Sequence, residues 1–260
     1  MPYEKVSFPA ASGHMLEGVL EMPEGPPHGI ALFAHCFTCT KQSKAAVAVS
    51  RSLAEEGLAT LRFDFTGLGE SEGEFATAGF ASDVEDLAAA ASYLFARFGR
   101  KLVLVGHSLG GAAVLAAADD IGMDRIAAIA TIAAPSDVPH VLERIKGDLG
   151  GVRETGQGRV SIGGRPFELS RTFLERVEAA DLLAEVGKLR VPLMFLHSPT
   201  DEIVGVENAS ALFNAAKHPK SFVSLSGADH LLLEEEDARF AARLIATWAG
   251  RYTVREAVAG

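Results

Sequence analysis

Short apolar runs alternate along the chain with longer stretches whose apolar residues recur three or four apart. Residues 14–22 (HMLEGVLEM) switch between apolar and polar, as a half-buried antiparallel strand does. Residues 29–34, 59–65, 101–105, 126–133 and 192–197 are largely apolar throughout, the pattern of strands covered on both faces of a parallel sheet. Residues 221–225 form a last strand-like run. Between these runs lie helical patterns over 42–56, ending at Gly57, and 82–98, ending at Gly99. An alanine-rich pattern covers 109–120, and another helix covers 206–217 before Pro219. The last, 234–252, carries acidic residues in its first turn and Phe240, Leu244, Trp248 and Tyr252 four apart on one face.

This alternation predicts an α/β fold, a mostly parallel eight-stranded sheet flanked by helices. Residues 137–190 break the rhythm. Within them, Val160–Ile162 and Pro166–Leu169 flank Gly163-Gly164, the spacing of a β-hairpin, and a helix with Phe173, Leu174 and Val177 follows. The insertion is expected to be a small cap over the sheet. One domain is expected over 1–252, with 253–260 a C-terminal tail or linker stub.

Charge narrows the partners. The 24 basic and 34 acidic residues leave a net charge of −10, which disfavours a nucleic-acid surface. The longest apolar runs, Ala112–Ala118 and Ile126–Pro135, fall well short of the roughly 18 residues that a membrane span needs. The opening residues lack the basic-then-apolar pattern of a signal peptide, so a cytoplasmic location is the expectation. Cys36 and Cys39, the two cysteines, are too few for a disulfide framework and read as two small loop residues. A thiol-redox module built on this C-x-x-C is the rival reading. No second cysteine pair or Cys/His cluster accompanies it for a metal, and no cofactor is implied.

The strongest chemical signal is Gly106-His107-Ser108-Leu109-Gly110, a G-x-S-x-G turn between a buried strand and a helix. Such a turn presents a serine hydroxyl above the sheet edge. A nucleophilic serine needs a base and a group to orient that base. Asp201 follows the strand at 192–197 and His230 follows the strand at 221–225, in the chain order serine, acid, histidine. Glu202 is the neighbouring alternative to Asp201. His107 and His35 are expected to position loops, and Asp64 to organise one. The oxyanion needs two N–H donors. One is expected from Leu109 and the other from Phe37, with Cys36 as the alternative. Phe75, His140, Phe167 and Phe173 are candidates for the substrate pocket, together with Phe37.

The segments HCF at 35–37, RFDFTGLGES at 62–71, GHSLGG at 106–111, SPTDEIV at 198–204 and GADH at 227–230 together resemble the α/β-hydrolase superfamily over nearly the whole chain. More narrowly, ALFAHCFTCTK, LRFDFTGLGESEGEF and HPKSFVSLSGADHLL resemble the hydrolase half of bacterial fusions between a hydrolase and an OsmC-type peroxidase domain. The resemblance implies an α/β-hydrolase fold and a serine carboxylesterase acting on a small-molecule ester, of short-chain or aromatic acyl type. It also implies a possible fused or partner OsmC-type domain. Thioesterase, peptidase and acyltransferase activities share the same three side chains and stay open. Many relatives carry glycine where this chain has Cys36.

Overall fold

The computed structural model describes all residues except Phe37, Thr77, Gly163 and 254–260, and the backbone alone at His140, Val141 and Arg144. The chain begins with strands β1 (Tyr3–Pro9), β2 (Met15–Glu21) and β3 (Gly29–Ala34), then helix α1 (Lys44–Glu55) and β4 (Leu58–Phe63). Helix α2 (Phe80–Phe98), β5 (Leu102–His107), α3 (Leu109–Ala116), α4 (Ala118–Ile121) and β6 (Ile126–Ile132) follow. The insertion holds β7 (Ile145–Gly147), α5 (Leu149–Thr155), β8 (Gln157–Ile162), β9 (Arg165–Ser170), α6 (Arg171–Glu178) and α7 (Leu182–Lys188). The chain then returns through β10 (Leu193–His197), α8 (Glu207–Ala215), β11 (Lys220–Ser224) and α9 (Glu235–Thr253).

Eight strands make one sheet in the order β1-β2-β4-β3-β5-β6-β10-β11. The β1–β2 and β2–β4 pairings are antiparallel and the rest are parallel. Every residue of β3, β4, β5, β6 and β10 is buried, which explains their apolar runs. On one side, α1 and α9 pack on the sheet; on the other, a larger core joins the sheet to α2, α3, α7, α8 and the insertion. The parallel order brings the carboxyl ends of β3, β5, β10 and β11 to one edge, where open α/β sheets place their ligands.

Three details differ from the sequence pattern. Strand β1 was not among the runs marked by composition, because at the sheet edge it buries Val6 and Phe8 and leaves the rest of Tyr3–Pro9 exposed. The alanine-rich helix is interrupted at Ala117, giving α3 and α4. Helix α9 turns Ala238, Ala241, Ala242, Ile245, Ala246 and Ala249 to the core. Leu244, Trp248 and Tyr252 flank that face and Phe240 is exposed, because close packing of α9 on α1 selects small residues at the contact.

The insertion forms a three-stranded sheet, β7-β8-β9. Ile162 pairs with Arg165, so two residues connect β8 to β9 as the Gly-Gly pattern predicts. Phe173, Leu174 and Val177 of α6 are buried against the body.

Candidate active site

Ser108 stands between β5 and α3 with φ 54° and ψ −125°. Only a very close turn holds a residue with a Cβ there, and two glycines make it possible. A Cβ on Gly106 would lie 2.3 Å from the Gly110 carbonyl oxygen, and one on Gly110 would lie 2.4 Å from the oxygens of Ala34 and His35. The strand, turn and helix therefore meet backbone to backbone, and the Ser108 hydroxyl projects from the sheet edge.

His230 reaches this hydroxyl from the loop after β11. Its Nε2 lies 3.0 Å from Ser108 Oγ. Its Nδ1 lies 2.7 Å from Oδ2 of Asp201, from the loop after β10. A carboxylate only accepts, so Nδ1 carries the proton and Nε2 is left to accept from the serine. Asp201 is held in turn: its Oδ1 accepts from the N–H groups of Ile203, at 2.8 Å, and Val204, at 2.9 Å. Burial works to raise the Asp201 carboxyl, but the hydrogen bonds from His230, Val204 and Ile203 outweigh it and hold the group below its ordinary range. Glu202 is exposed. Asp229 turns away to accept from Leu231 N–H at 2.7 Å and Leu233 N–H at 3.1 Å.

Three further histidines hold backbone carbonyls of the neighbouring loops. His197 donates from Nε2 to the Val204 carbonyl at 2.7 Å and so steadies the loop carrying Asp201. His35 follows β3 and hydrogen-bonds the Cys36 carbonyl through Nδ1 at 2.9 Å. His107 donates from Nε2 to the backbone carbonyl of His230 at 2.7 Å. Burial first, then the neighbouring His230, lowers His107 to about 4. Its folded value lies below the ordinary 6.5, so its contribution to stability is full above about pH 6.5 and is lost as pH falls towards 4. At the low end the loss is about 3 kcal/mol. Urea unfolding at pH 7 and near pH 4 should show His107→Gln losing less stability on acidification than wild type, by that amount. Equal losses would show that His107 is not the buried neutral group described.

Of the N–H groups of Leu109 and Phe37, expected to receive an oxyanion, one lies among the described residues. Leu109 N–H opens α3 beside Ser108, where the first N–H groups of a helix have no intrahelical partner. Phe37 lies outside the described residues. Cys36 is buried, and the structure joins it to Cys39 in a disulfide. The reading of the two cysteines as unlinked small residues is therefore corrected: the tight loop, with the Cys39 N–H donating to the Cys36 carbonyl at 3.0 Å, brings their Cα atoms within 5.3 Å, inside the range that a disulfide spans.

Beneath this loop a buried lattice of charge ties β3 to β4. Asp64 accepts from Lys41 N–H at 2.6 Å, from the Lys41 ammonium and from Glu70 N–H at 2.9 Å. Arg62 donates to the Lys41 carbonyl at 2.8 Å and to Glu21 at 2.6 Å. Asp64 thus organises the loop, as the sequence implied. Glu21 lies in no quoted motif, and Lys41 closes the segment ALFAHCFTCTK without a role assigned to it.

From the insertion, Phe167 stands over Phe75 with ring centres 4.7 Å apart, and Phe173 is 6.2 Å from Phe75. Phe75 and Phe167 are half-buried, whereas Phe173 is 1% exposed and is spent on packing. The His140 side chain lies outside the described part. Arg165 of β9, not anticipated from sequence, donates to the Thr38 carbonyl at 3.1 Å, and so ties the insertion to the loop after β3.

Comparison with known proteins agrees with this architecture. Residues 28–243 match the alpha/beta hydrolase family. The esterase domain of a Rhodothermus marinus protein superposes with a TM-score of 0.79 at 45% identity, covering 97% of this chain and all of that one. Est1E of Butyrivibrio proteoclasticus, solved with ferulic acid, has a TM-score of 0.79 at 22% identity over 95% of this chain and 98% of its own. YfhR of Escherichia coli strain K12, itself uncharacterized, is 24% identical over 88% of this chain and 73% of its own length. No helix among the described residues is long and apolar enough to cross a membrane. With a family match that spans most of its length and a strand order ending each candidate side chain at one sheet edge, the chain belongs to the alpha/beta hydrolase family.

Proposed function

We propose that the protein is a serine carboxylesterase acting on short-chain or aromatic acyl esters. One observation carries this reading: a single imidazole, His230, bridges the Asp201 carboxylate at 2.7 Å and the Ser108 hydroxyl at 3.0 Å. His230 takes the Ser108 proton as Oγ attacks the ester carbonyl. The Leu109 N–H and a second N–H from the loop at 36–37 receive the developing oxyanion. His230 then returns the proton to the departing alcohol, leaving an acyl group on Ser108. Water, deprotonated by the same imidazole, releases the acid and restores the serine. Asp201 holds the tautomer and stabilises the imidazolium.

The 45% identity to the R. marinus esterase domain supports the ester class. Phe75, which shares a small cavity with Leu109, and Phe167, packed on it from the insertion, support a flat or short apolar acyl group. Initial rates on p-nitrophenyl acetate, butyrate and octanoate, with a butyryl thioester and a butyryl anilide beside them, test the assignment. Acetate and butyrate esters should turn over fastest. A kcat/KM higher for the thioester or the anilide would move the protein to a thioesterase or an amidase.

A further inference from the structure

Under the loop after β3 lies a cavity lined by His35, Cys36, Phe65, Phe75, Asp83 and Leu109, among others. The space is small, with room for roughly one water. His35, Asp83 and the Thr38 hydroxyl are its polar side chains, and none of them has a part in the chemistry above. His35 is 2% exposed. Its Nδ1 faces the Cys36 carbonyl, which only accepts, so Nδ1 carries the proton and Nε2 is a bare acceptor. Burial lowers its pKa and keeps the ring neutral. That Nε2 has no hydrogen-bond partner among the described residues.

Asp83 has the complementary state. It stands half-buried in the first turn of α2 and lines the cavity, and its desolvation there, with a smaller contribution from Asp86, raises its carboxyl well above the ordinary range. No hydrogen bond or cation among the described residues holds it in the charged form. A protonated carboxyl donates, and a bare imidazole nitrogen accepts. What His35 holds on its other side is the Cys36 carbonyl, which also receives the Cys39 N–H.

We infer that Asp83 is a positioning residue for this loop: its acid O–H reaches His35 Nε2 through one water in the shared cavity, and so fixes the imidazole that holds the Cys36 carbonyl. The inference rests on the reading of the loop as the source of the second oxyanion donor. Because such a donor acts on the transition state more than on bound substrate, loosening it lowers kcat and leaves KM nearly unchanged.

Asp83→Asn keeps a donor and Asp83→Leu removes it. On p-nitrophenyl butyrate, Asp83→Asn should keep kcat within about threefold of wild type. Asp83→Leu should lose roughly tenfold or more with KM within about threefold, a part of what deleting a whole oxyanion donor costs. Nitrogen-15 NMR of the imidazoles supplies a second arm independent of turnover. Wild-type His35 should be neutral with its proton on Nδ1, and its Nε2 resonance should move in Asp83→Asn. Unchanged kcat in Asp83→Leu, an equal fall in both variants, or a rise in KM alone would overturn the inference. If Asp83→Leu does not fold, or if wild type hydrolyses no ester and the esterase reading itself fails, the resonance decides: an Nε2 signal indifferent to Asp83→Asn refutes the pairing.

Discussion

Ser108→Ala should cut kcat on p-nitrophenyl butyrate by at least about 10³ while leaving the fold intact. The size follows from the geometry. On the proposed mechanism, removing Oγ removes the nucleophile itself, and no described side chain stands in its place within reach of His230 Nε2, whose partner at 3.0 Å is that oxygen alone. What remains is water attack assisted by the N–H donors. Stability should change little, because serine and alanine bear the same strain at φ 54° and the turn is set by Gly106 and Gly110. Steady-state kinetics with a thermal melt checks both halves. Activity within tenfold of wild type would remove Ser108 from the mechanism. A collapse of the melt would show that the hydroxyl matters to folding instead.

The largest effect on stability is expected at a distance from Ser108. Arg62→Leu should destabilise the protein by about 3–5 kcal/mol. Arg62 donates at 2.6 Å to Glu21, which is wholly buried, and Arg51 touches the same carboxylate only at 3.4 Å from a mostly exposed position. Losing Arg62 leaves a buried carboxylate with a weak partner, and also frees the Lys41 carbonyl that it caps. In a chain of this size the melting temperature should fall by roughly 10 °C. Glu21→Leu combined with Arg62→Leu should recover much of that loss, since the penalty comes from the unpaired charge rather than from the missing pair. A single variant as stable as wild type would mean that the buried pair contributes nothing net.

Much of the architecture was legible because the parallel sheet is buried on both faces, and burial writes itself into continuous apolar runs such as 29–34 and 126–132. The approach of Ser108, Asp201 and His230 was legible for a related reason. Each follows a parallel strand, and parallel strands put their carboxyl ends on one edge. Contacts that depend on depth rather than order were not legible. Alanines, not Phe240 or Trp248, face the core from α9, because two helices approach closely and only the packed structure fixes how closely. Lys41, Glu21 and Asp83 look like ordinary surface charges in sequence, and only the fold shows them under a loop. The Cys36–Cys39 bond depended on the turn between them, which the spacing allowed without requiring.

The most direct test is rapid quenching of the enzyme during turnover of p-nitrophenyl acetate, followed by mass analysis of its peptides. The predicted result is one acetyl group on the peptide carrying Ser108, formed with a burst of nitrophenol and absent from Ser108→Ala. An acetyl group on a cysteine or lysine instead, or turnover with no acylated peptide in wild type, would contradict an acyl-enzyme at Ser108.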